Sequence, residues 1–216
     1  MKKLAILFAL GFLAVGTANA TIIPVLLSGP TADGSNFDFN YAADLSGDER
    51  VDPAATNGIT CSGPGGTLVQ CNPPGTFFTL YDIPGFVSAS VSSGWMVSVQ
   101  NVGITPSNIN GASIDNPSIV NVTFTYTGPI VHANGSTVIF SGFQIVSADG
   151  GINSNGDFSS QSTIDTGNSA GDTDQNSGSV TIPGGGTQPV PEPVSLILLG
   201  SGLLGVGTVA RKKLRA

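Results

Sequence analysis

The chain has 216 residues and a formal net charge of −7. Between residues 21 and 190 there is one arginine, Arg50, and no lysine, against 13 aspartate or glutamate residues. So acidic a surface repels phosphate backbones, which excludes nucleic-acid binding, and it disfavours docking on anionic lipid head groups. The segment is long enough for one domain with a buried core.

Residues 1–20 have the features of a secretory signal peptide. Two lysines at positions 2 and 3 precede an apolar run over residues 4–15. The run is followed by Ala18-Asn19-Ala20, a small-x-small cleavage site. We therefore predict cleavage after Ala20, with Thr21 as the mature N-terminus. An N-terminal membrane anchor is the alternative, but the apolar run is short for one.

Residues 21–182 are predicted to form an all-β domain. Their composition is rich in Gly, Ser, Thr and Asn, and β-branched and aromatic residues occur in short runs between turn residues. This pattern favours an antiparallel β-sandwich, jelly-roll or immunoglobulin-like, and no 20–50-residue repeat suggests a solenoid. The first strands are expected at residues 22–27 and 37–41, with loops over most of the acidic stretch 33–52.

Cys61 and Cys71 enclose nine residues that include three glycines and a proline. Such a loop closes easily, and disulfides persist in exported proteins, so we predict a local Cys61–Cys71 disulfide. A metal-binding pair is the alternative. The wide spacing and the absence of a nearby histidine argue against it.

The strand pattern is clearest between residues 77 and 147. Strands are predicted at 77–82, 87–91, 95–99, 120–127 and 137–147. The Ser92-Ser93-Gly94 turn predicts that 87–91 and 95–99 form a hairpin. Val97, Val99, Val122 and Phe124 are expected to be buried together.

The polar face of the strand at 120–127 carries Asn121, Thr123, Thr125 and Thr127. Strict alternation predicts that this face meets water. Contact with a glycan, contact with ice, and no function at all are its three interpretations. In the strand at 137–147 the alternation shifts at Gly142, which predicts a bulge. Edge strands are expected at 158–164 and 179–182, followed by a Gly-rich flexible spacer at 183–190.

Catalytic signals are weak, and we predict no catalytic residue and no enzyme. Ser169 lies in a Gly-x-Ser-x-Gly match, but its flanks are polar, and the only nearby histidine, His132, precedes it. No resident metal or cofactor is expected. Calcium is the alternative, because Asp172, Asp174 and Asn176 alternate as oxygen ligands and residues 44–52 are acidic.

The C-terminal segment, residues 191–216, has three parts in a fixed order. Pro191, Glu192 and Pro193 come first, followed by an apolar run over 194–210. A basic end then closes the chain, with Arg211, Lys212, Lys213 and Arg215. Seventeen apolar residues are near the lower limit for a transmembrane helix, and a basic flank stays in the cytoplasm. We predict one transmembrane helix at 194–210.

This tail resembles the PEP-CTERM sorting signal of Gram-negative bacteria, the substrate tail of exosortase-type enzymes. The resemblance covers residues 189–216 only. The tail family is sometimes labelled an ice-binding protein C-terminal domain, although nothing in the tail's chemistry would bind ice. The resemblance implies an inner-membrane anchor with the domain in the periplasm, and transfer to the cell surface or matrix after an exosortase-like enzyme acts at the Pro-Glu-Pro site.

Three functions fit an exported acidic β domain with this tail. The resemblance implies a structural or adhesive protein of exopolysaccharide or biofilm matrix, with extracellular polysaccharide as its expected partner. A cell-surface carbohydrate-binding module is the alternative, and it would show a row of exposed aromatic side chains on one sheet face. A hydrolase is the third, and it would need a pair of convergent carboxylates.

Overall fold

The computed structural model describes residues 21–53, 59–62, 68–71 and 75–185. This part consists of antiparallel β-strands, connecting loops and two single 3-10 turns, and it contains no α-helix. In chain order the strands are β1 (Ile22–Asp33), β2 (Asn36–Leu45), β3 (Glu49–Val51), β4 (Ile59–Ser62), β5 (Leu68–Cys71), β6 (Phe77–Ile83), β7 (Phe86–Ser90), β8 (Trp95–Gln100), β9 (Val120–Tyr126), β10 (Val131–His132), β11 (Val138–Ser147), β12 (Gly151–Ile164) and β13 (Thr173–Gly184).

The strands form two large sheets and one small one. The four-stranded sheet has the order β1-β2-β11-β7. The seven-stranded sheet runs β10-β3-β12-β6-β9-β8, and β13 pairs with β12. Strand β13 pairs with one edge of β12 along nearly the whole length of β12. The other edge of β12 pairs first with β6 and then with β3. Strands β4 and β5 pair only with each other.

The two large sheets share one apolar core. Phe143 of the four-stranded sheet lies among three rings of the other sheet, with centroids 4.9 Å from Trp95, 5.1 Å from Phe78 and 5.2 Å from Phe124. All three contacts are edge-to-face, an arrangement that aromatic rings prefer. The predicted all-β class is confirmed, and the packing of sheet on sheet fits a sandwich.

Three strand predictions are confirmed almost to the residue, those at 77–82, 120–127 and 137–147. The bulge at Gly142 is also present, because the pairing of β11 with β2 shifts register between Ser141 and Phe143. Gly142 has a φ of +87°, a conformation that other residues rarely adopt. The bulge lets both Phe140 and Phe143 pack against the core.

The predicted hairpin at 87–99 is wrong. Both strands exist, but β7 pairs with β11 in one sheet and β8 pairs with β9 in the other. The turn at Ser92–Gly94 therefore carries the chain between the sheets. Val99 is also not buried, with 46% of its surface exposed, because β8 is an edge strand and Val99 lies near its end.

The acidic stretch 33–52 is strand rather than loop over most of its length. Along β2, Phe39, Tyr41, Ala43 and Leu45 are buried in the core, while the intervening Asp38, Asn40 and Asp44 are only partly covered. Acidic residues here occupy the outer face of a strand. The segment predicted as an edge strand at 158–164 belongs instead to β12, an interior strand. β13 is an edge strand, as expected, but it runs to Gly184, two residues into the predicted spacer.

Candidate functional site

The predicted sorting residues lie outside the described part of the chain. This applies to Pro191, Glu192 and Pro193, to the apolar run 194–210, and to the basic end Arg211, Lys212, Lys213 and Arg215. Within the described residues no helix is long and apolar enough to cross a membrane. The transmembrane helix at 194–210 therefore stays a prediction.

The side chains of Cys61 and Cys71 also lie outside the description, although their backbone belongs to β4 and β5. In that pair Cys61 is opposite Val69, and Cys71 is opposite Ile59. The two cysteines are thus diagonal neighbours, for which Cα atoms are typically about 7–8 Å apart. The disulfide stays a prediction.

The arginine and the histidine of the described chain meet at one carboxylate, Asp165. Arg50 of β3 contacts it through Nη1 at 3.4 Å, and Nδ1 of His132 in β10 lies 2.7 Å from its other oxygen. The Nε of Arg50 also donates to both carboxylate oxygens of Asp52, at 3.0 and 3.1 Å. Three segments distant in sequence converge because β3 pairs with both β10 and the end of β12.

The chemistry of this Asp165 cluster is that of an ion-pair network. The hydrogen bond from His132 is the main cause that lowers the pKa of Asp165, and Arg50 lowers it further. A histidine oriented by a carboxylate could act as a general base, but a nucleophile must lie within its reach. Among the described residues no hydroxyl or thiol hydrogen-bonds the ring of His132, and Ser169 lies in a 3-10 turn without a bond to it. The cluster therefore holds the Arg50 guanidinium group and the His132 ring on carboxylates of the same domain.

A second polar cluster is buried beside the core. Glu49 of β3 is only 1% exposed, and its Oε2 accepts a hydrogen bond from the Ser162 hydroxyl at 2.9 Å. Burial is the main cause that raises the pKa of Glu49 to about 7. The hydrogen bond from Ser162 lowers this pKa, whereas the nearby Asp174 and Asp48 raise it further. No sequence pattern singled out Glu49, because a buried carboxyl group has no local signature.

The polar face of β9 is covered rather than exposed to water. Asn121, Thr123 and Thr125 are all buried, so the expectation of a solvated face is wrong. The loop 101–119 lies over this face, and the carbonyl oxygen of Ile104 accepts a hydrogen bond from Thr79 at 2.7 Å. Thr79 in turn shares a hydrogen bond with Thr123 at 2.8 Å. Glycan or ice contact at these buried positions is thereby excluded.

A polar row instead crosses the outer face of the four-stranded sheet, and it is exposed at its two ends and half-buried in its middle. Ser28, Asn40, Gln144 and Ser90 stand in register on β1, β2, β11 and β7. Hydrogen bonds of 3.3–3.4 Å join each of these side chains to the next. We call this row the polar ladder. Each residue sits among other polar residues in the sequence, so only the strand register reveals the alignment.

Among the described residues, no group of three or more His, Cys, Asp or Glu is arranged to hold a metal ion. Of the residues considered for calcium, Asp174 and Asn176 belong to β13 rather than to a loop. Residues 44–52 include the end of β2 and all of β3. Two oxygens alternating along a strand do not enclose an ion as a calcium loop does.

The family model for the PEP-CTERM protein-sorting motif matches residues 189–213. The match contains Pro191-Glu192-Pro193 and begins five residues after the end of β13. No curated protein and no solved structure matches the chain. The motif confirms the resemblance seen in the sequence and implies export, sorting to the cell surface and processing by an exosortase. The chain therefore carries a PEP-CTERM protein-sorting motif behind an all-β domain and is an exported, exosortase-targeted surface protein.

Proposed function

We propose that the β-sandwich is a structural or adhesive protein of the exopolysaccharide or biofilm matrix. It is held in the inner membrane through residues 194–210 until an exosortase acts at Pro191–Pro193, and it has no enzymatic activity of its own. The observation that carries this proposal is the sorting motif at 189–213, a few residues behind the last strand. A non-catalytic role is supported by the His132 ring, which no hydroxyl or thiol of the described residues hydrogen-bonds.

The charge of the domain selects the chemistry of its partner. Between residues 21 and 190 only Arg50 and His132 can supply a cationic side chain, and both contact Asp165. Neither is free to bind a uronate or a phosphate, and the 13 acidic residues repel both. The polysaccharide that fits this surface is therefore a neutral one.

The polar ladder is the surface that we assign to polysaccharide contact. Its amide and hydroxyl groups donate and accept hydrogen bonds, and each keeps unused capacity beyond the bonds within the row. The bonds between neighbours hold the side chains in one orientation, which lowers the entropy lost on binding. A row across four strands suits an extended polymer.

A carbohydrate-binding module remains the second candidate, and the same ladder favours it. The burial of the aromatic rings argues against a carbohydrate-binding module. Every aromatic side chain in residues 21–53 and 75–185 is buried or partly buried. Trp95 and Tyr126 pack on each other in the core, with ring centroids 5.1 Å apart. Stacking of a sugar on an exposed ring is thus not available there. The ladder alone predicts weak, multivalent adhesion rather than tight binding of one oligosaccharide.

Processing is tested with a C-terminal epitope tag in hosts with and without the exosortase. We expect the tag to be lost, and the domain to reach the surface or matrix, only when the enzyme is present. Replacing Pro191, Glu192 and Pro193 by Ala should retain the tag and keep the protein in the inner membrane. A wild-type protein that reaches the matrix with its tag intact would contradict processing.

Adhesion is tested by sedimenting the processed protein with neutral and with acidic exopolysaccharide. We expect retention on the neutral polymer only, and at least a several-fold loss in the double variant N40A/Q144A. The matched control is N108A/N155A, which removes two exposed asparagines away from the ladder. Equal binding by both variants would exclude the ladder, and hydrolysis of the polymer would contradict a non-enzymatic role.

A further inference from the structure

Thr21 is fully buried although it is the predicted first residue of the processed chain. Its hydroxyl shares a hydrogen bond of 2.8 Å with Ser160 of β12. Its carbonyl oxygen accepts a bond from the backbone N–H of Ser46 at 3.4 Å, which extends the β1–β2 pairing by one residue. Cleavage after Ala20 would therefore create a new ammonium group on a residue whose hydroxyl and carbonyl oxygen are bonded within the folded domain.

A carboxyl group that no cationic side chain of the described residues contacts lies on the same side of β12. Glu49 receives the hydroxyl of Ser162, two residues beyond Ser160, and residues two apart share one face of a strand. That step along β12 is roughly 7 Å. The chain reaches Glu49 from Ser46 through a tight turn, in which the Glu49 N–H donates to the Ser46 carbonyl oxygen at 3.1 Å. Thr21 and Glu49 are thus connected both through Ser160 and Ser162 of β12 and through the turn that begins at Ser46.

The other charged groups near Glu49 are unsuited to balance it. Asp174 of β13 and Asp48 on the turn are both acidic. Arg50 follows Glu49 in the strand, so its side chain leaves from the opposite face and contacts Asp52 and Asp165. A buried carboxylate needs a paired charge or a proton.

We propose that Glu49 is the intramolecular partner of the Thr21 α-ammonium group, so that removal of residues 1–20 completes a buried ion pair at the end of the core. The inference rests on the signal-peptide cleavage that the proposed export requires. Before cleavage the Thr21 nitrogen is a neutral amide, and burial favours the protonated form of Glu49. After cleavage the ammonium group and the carboxylate stabilise each other's charged forms.

The amino-acid composition makes the pair unusually easy to probe. All four lysines lie at positions 2, 3, 212 and 213. Once both ends are removed, the Thr21 α-amino group is the only primary amine of the protein. If the tail is retained, peptide mapping separates its two lysines from the N-terminal peptide. The rate of acetylation by acetic anhydride, measured from pH 6 to 10, then reports the pKa of this group alone.

In the wild-type protein we expect the α-amino pKa to lie at least one unit above its ordinary value of about 7.7–8.0. At pH 8 that shift lowers the free-amine fraction several-fold. Glu49→Gln is nearly isosteric and keeps an oxygen for Ser162, but it removes the charge. It should lower the amine pKa to the ordinary value or below, because a buried ammonium group would then be unpaired.

Asp48→Asn is the matched control, since it removes an exposed carboxylate one residue from Glu49 and should leave the amine pKa unchanged. An ordinary amine pKa in the wild-type protein, or one that Glu49→Gln does not change, would overturn the proposal. If Glu49→Gln does not fold, the wild-type profile alone decides.

The intact mass of the mature protein distinguishes a failure of the ion-pair proposal from a failure of the predicted cleavage after Ala20. A mature mass that begins at Thr21 with an unshifted amine pKa contradicts the ion pair alone. A mass that still includes residues 1–20 contradicts the cleavage on which export depends.

Discussion

The hydroxyl of Tyr81 donates a hydrogen bond to the carbonyl oxygen of Ile104 at 3.1 Å, which ties the loop 101–119 to the outer face of the seven-stranded sheet. The same hydroxyl lies 2.7 Å from Ser159 and 2.6 Å from Thr105. Burial raises the pKa of Tyr81 to about 12, although these hydrogen bonds lower it. The phenol is thus a neutral buried link between a strand and a long loop.

Removing this hydroxyl should destabilise the domain without changing its shape. Tyr81→Phe removes the hydrogen bonds to Ile104, Ser159 and Thr105, and Thr79 still donates to the Ile104 carbonyl oxygen. Each lost hydrogen bond typically contributes about 0.5–1.5 kcal/mol net, so the expected total is about 1–3 kcal/mol. We expect urea unfolding to show a loss in this range with an unchanged slope. Ser90→Ala, at the exposed end of the polar ladder, is the control and should cost less than about 0.5 kcal/mol. Equal stabilities for the two variants would mean that the loop is held by other contacts.

Gly103 allows the loop to approach the sheet closely. A Cβ atom at this position would clash with Cε1 of the Tyr81 ring and lie 3.1 Å from Cγ2 of Thr79. The ring has little room to move, because Tyr81 is fully buried and its hydroxyl is hydrogen-bonded to Ile104, Thr105 and Ser159. We therefore expect Gly103→Ala to cost about 1–3 kcal/mol in thermal or urea unfolding, as overpacking does.

Gly185→Ala is the matched control, since nothing lies within 4 Å of a Cβ there. It should leave stability nearly unchanged. If Gly103→Ala were equally neutral, the loop would have room to shift away from Tyr81, and the close packing described for this face would be wrong.

The covered face shows where sequence analysis succeeds and where it fails. Alternation along β9 correctly predicted its apolar face, with Val122 and Phe124 buried. The same alternation could not reveal that Thr123 is also buried, because a polar strand face looks identical whether water or a loop covers it. The covering loop has no hydrophobic periodicity from which its position could be predicted.

The pairing partners of the strands could not be predicted from local sequence patterns either. β7 and β8 were recognisable as strands, but their turn is compatible both with a hairpin and with a crossing between sheets. The Asp165 cluster and the polar ladder depend on contacts between residues 12 to 115 positions apart in the sequence. The sorting tail was predictable because its three parts are contiguous, and its physics depends only on their order.

The Asp165 cluster should make stability depend on pH in the acidic range. Its pKa is lowered in the folded state, chiefly by His132, so the native chain releases the Asp165 proton more readily than the unfolded chain. This contribution is present above the unfolded pKa of about 3.9 and disappears as the pH falls through the lower folded value. Asp165→Asn should therefore lower the unfolding midpoint at pH 7, and its difference from wild type should close below about pH 4.

Asp33→Asn is the control for this prediction, because Asp33 is exposed at the end of β1 and makes no ion pair among the described residues. Its unfolding midpoint should follow the wild-type curve. A difference between Asp165→Asn and wild type that persists at pH 2 would show that the side chain acts through its shape rather than its charge.

The basic end at Arg211, Lys212, Lys213 and Arg215 should fix the orientation of the tail. Cations next to an apolar run resist translocation across the membrane. Because the apolar run at 194–210 is short, we expect its basic flank to determine whether the tail stops in the membrane. Replacing all four residues by Ser should let the tail pass through the membrane, so that a C-terminal tag becomes accessible to protease in spheroplasts. A charge-preserving exchange of Arg for Lys and Lys for Arg at the same positions should keep the tag protected. Protection of the tag in the Ser variant would show that the apolar run alone halts the chain, and the basic end would then have no role in topology.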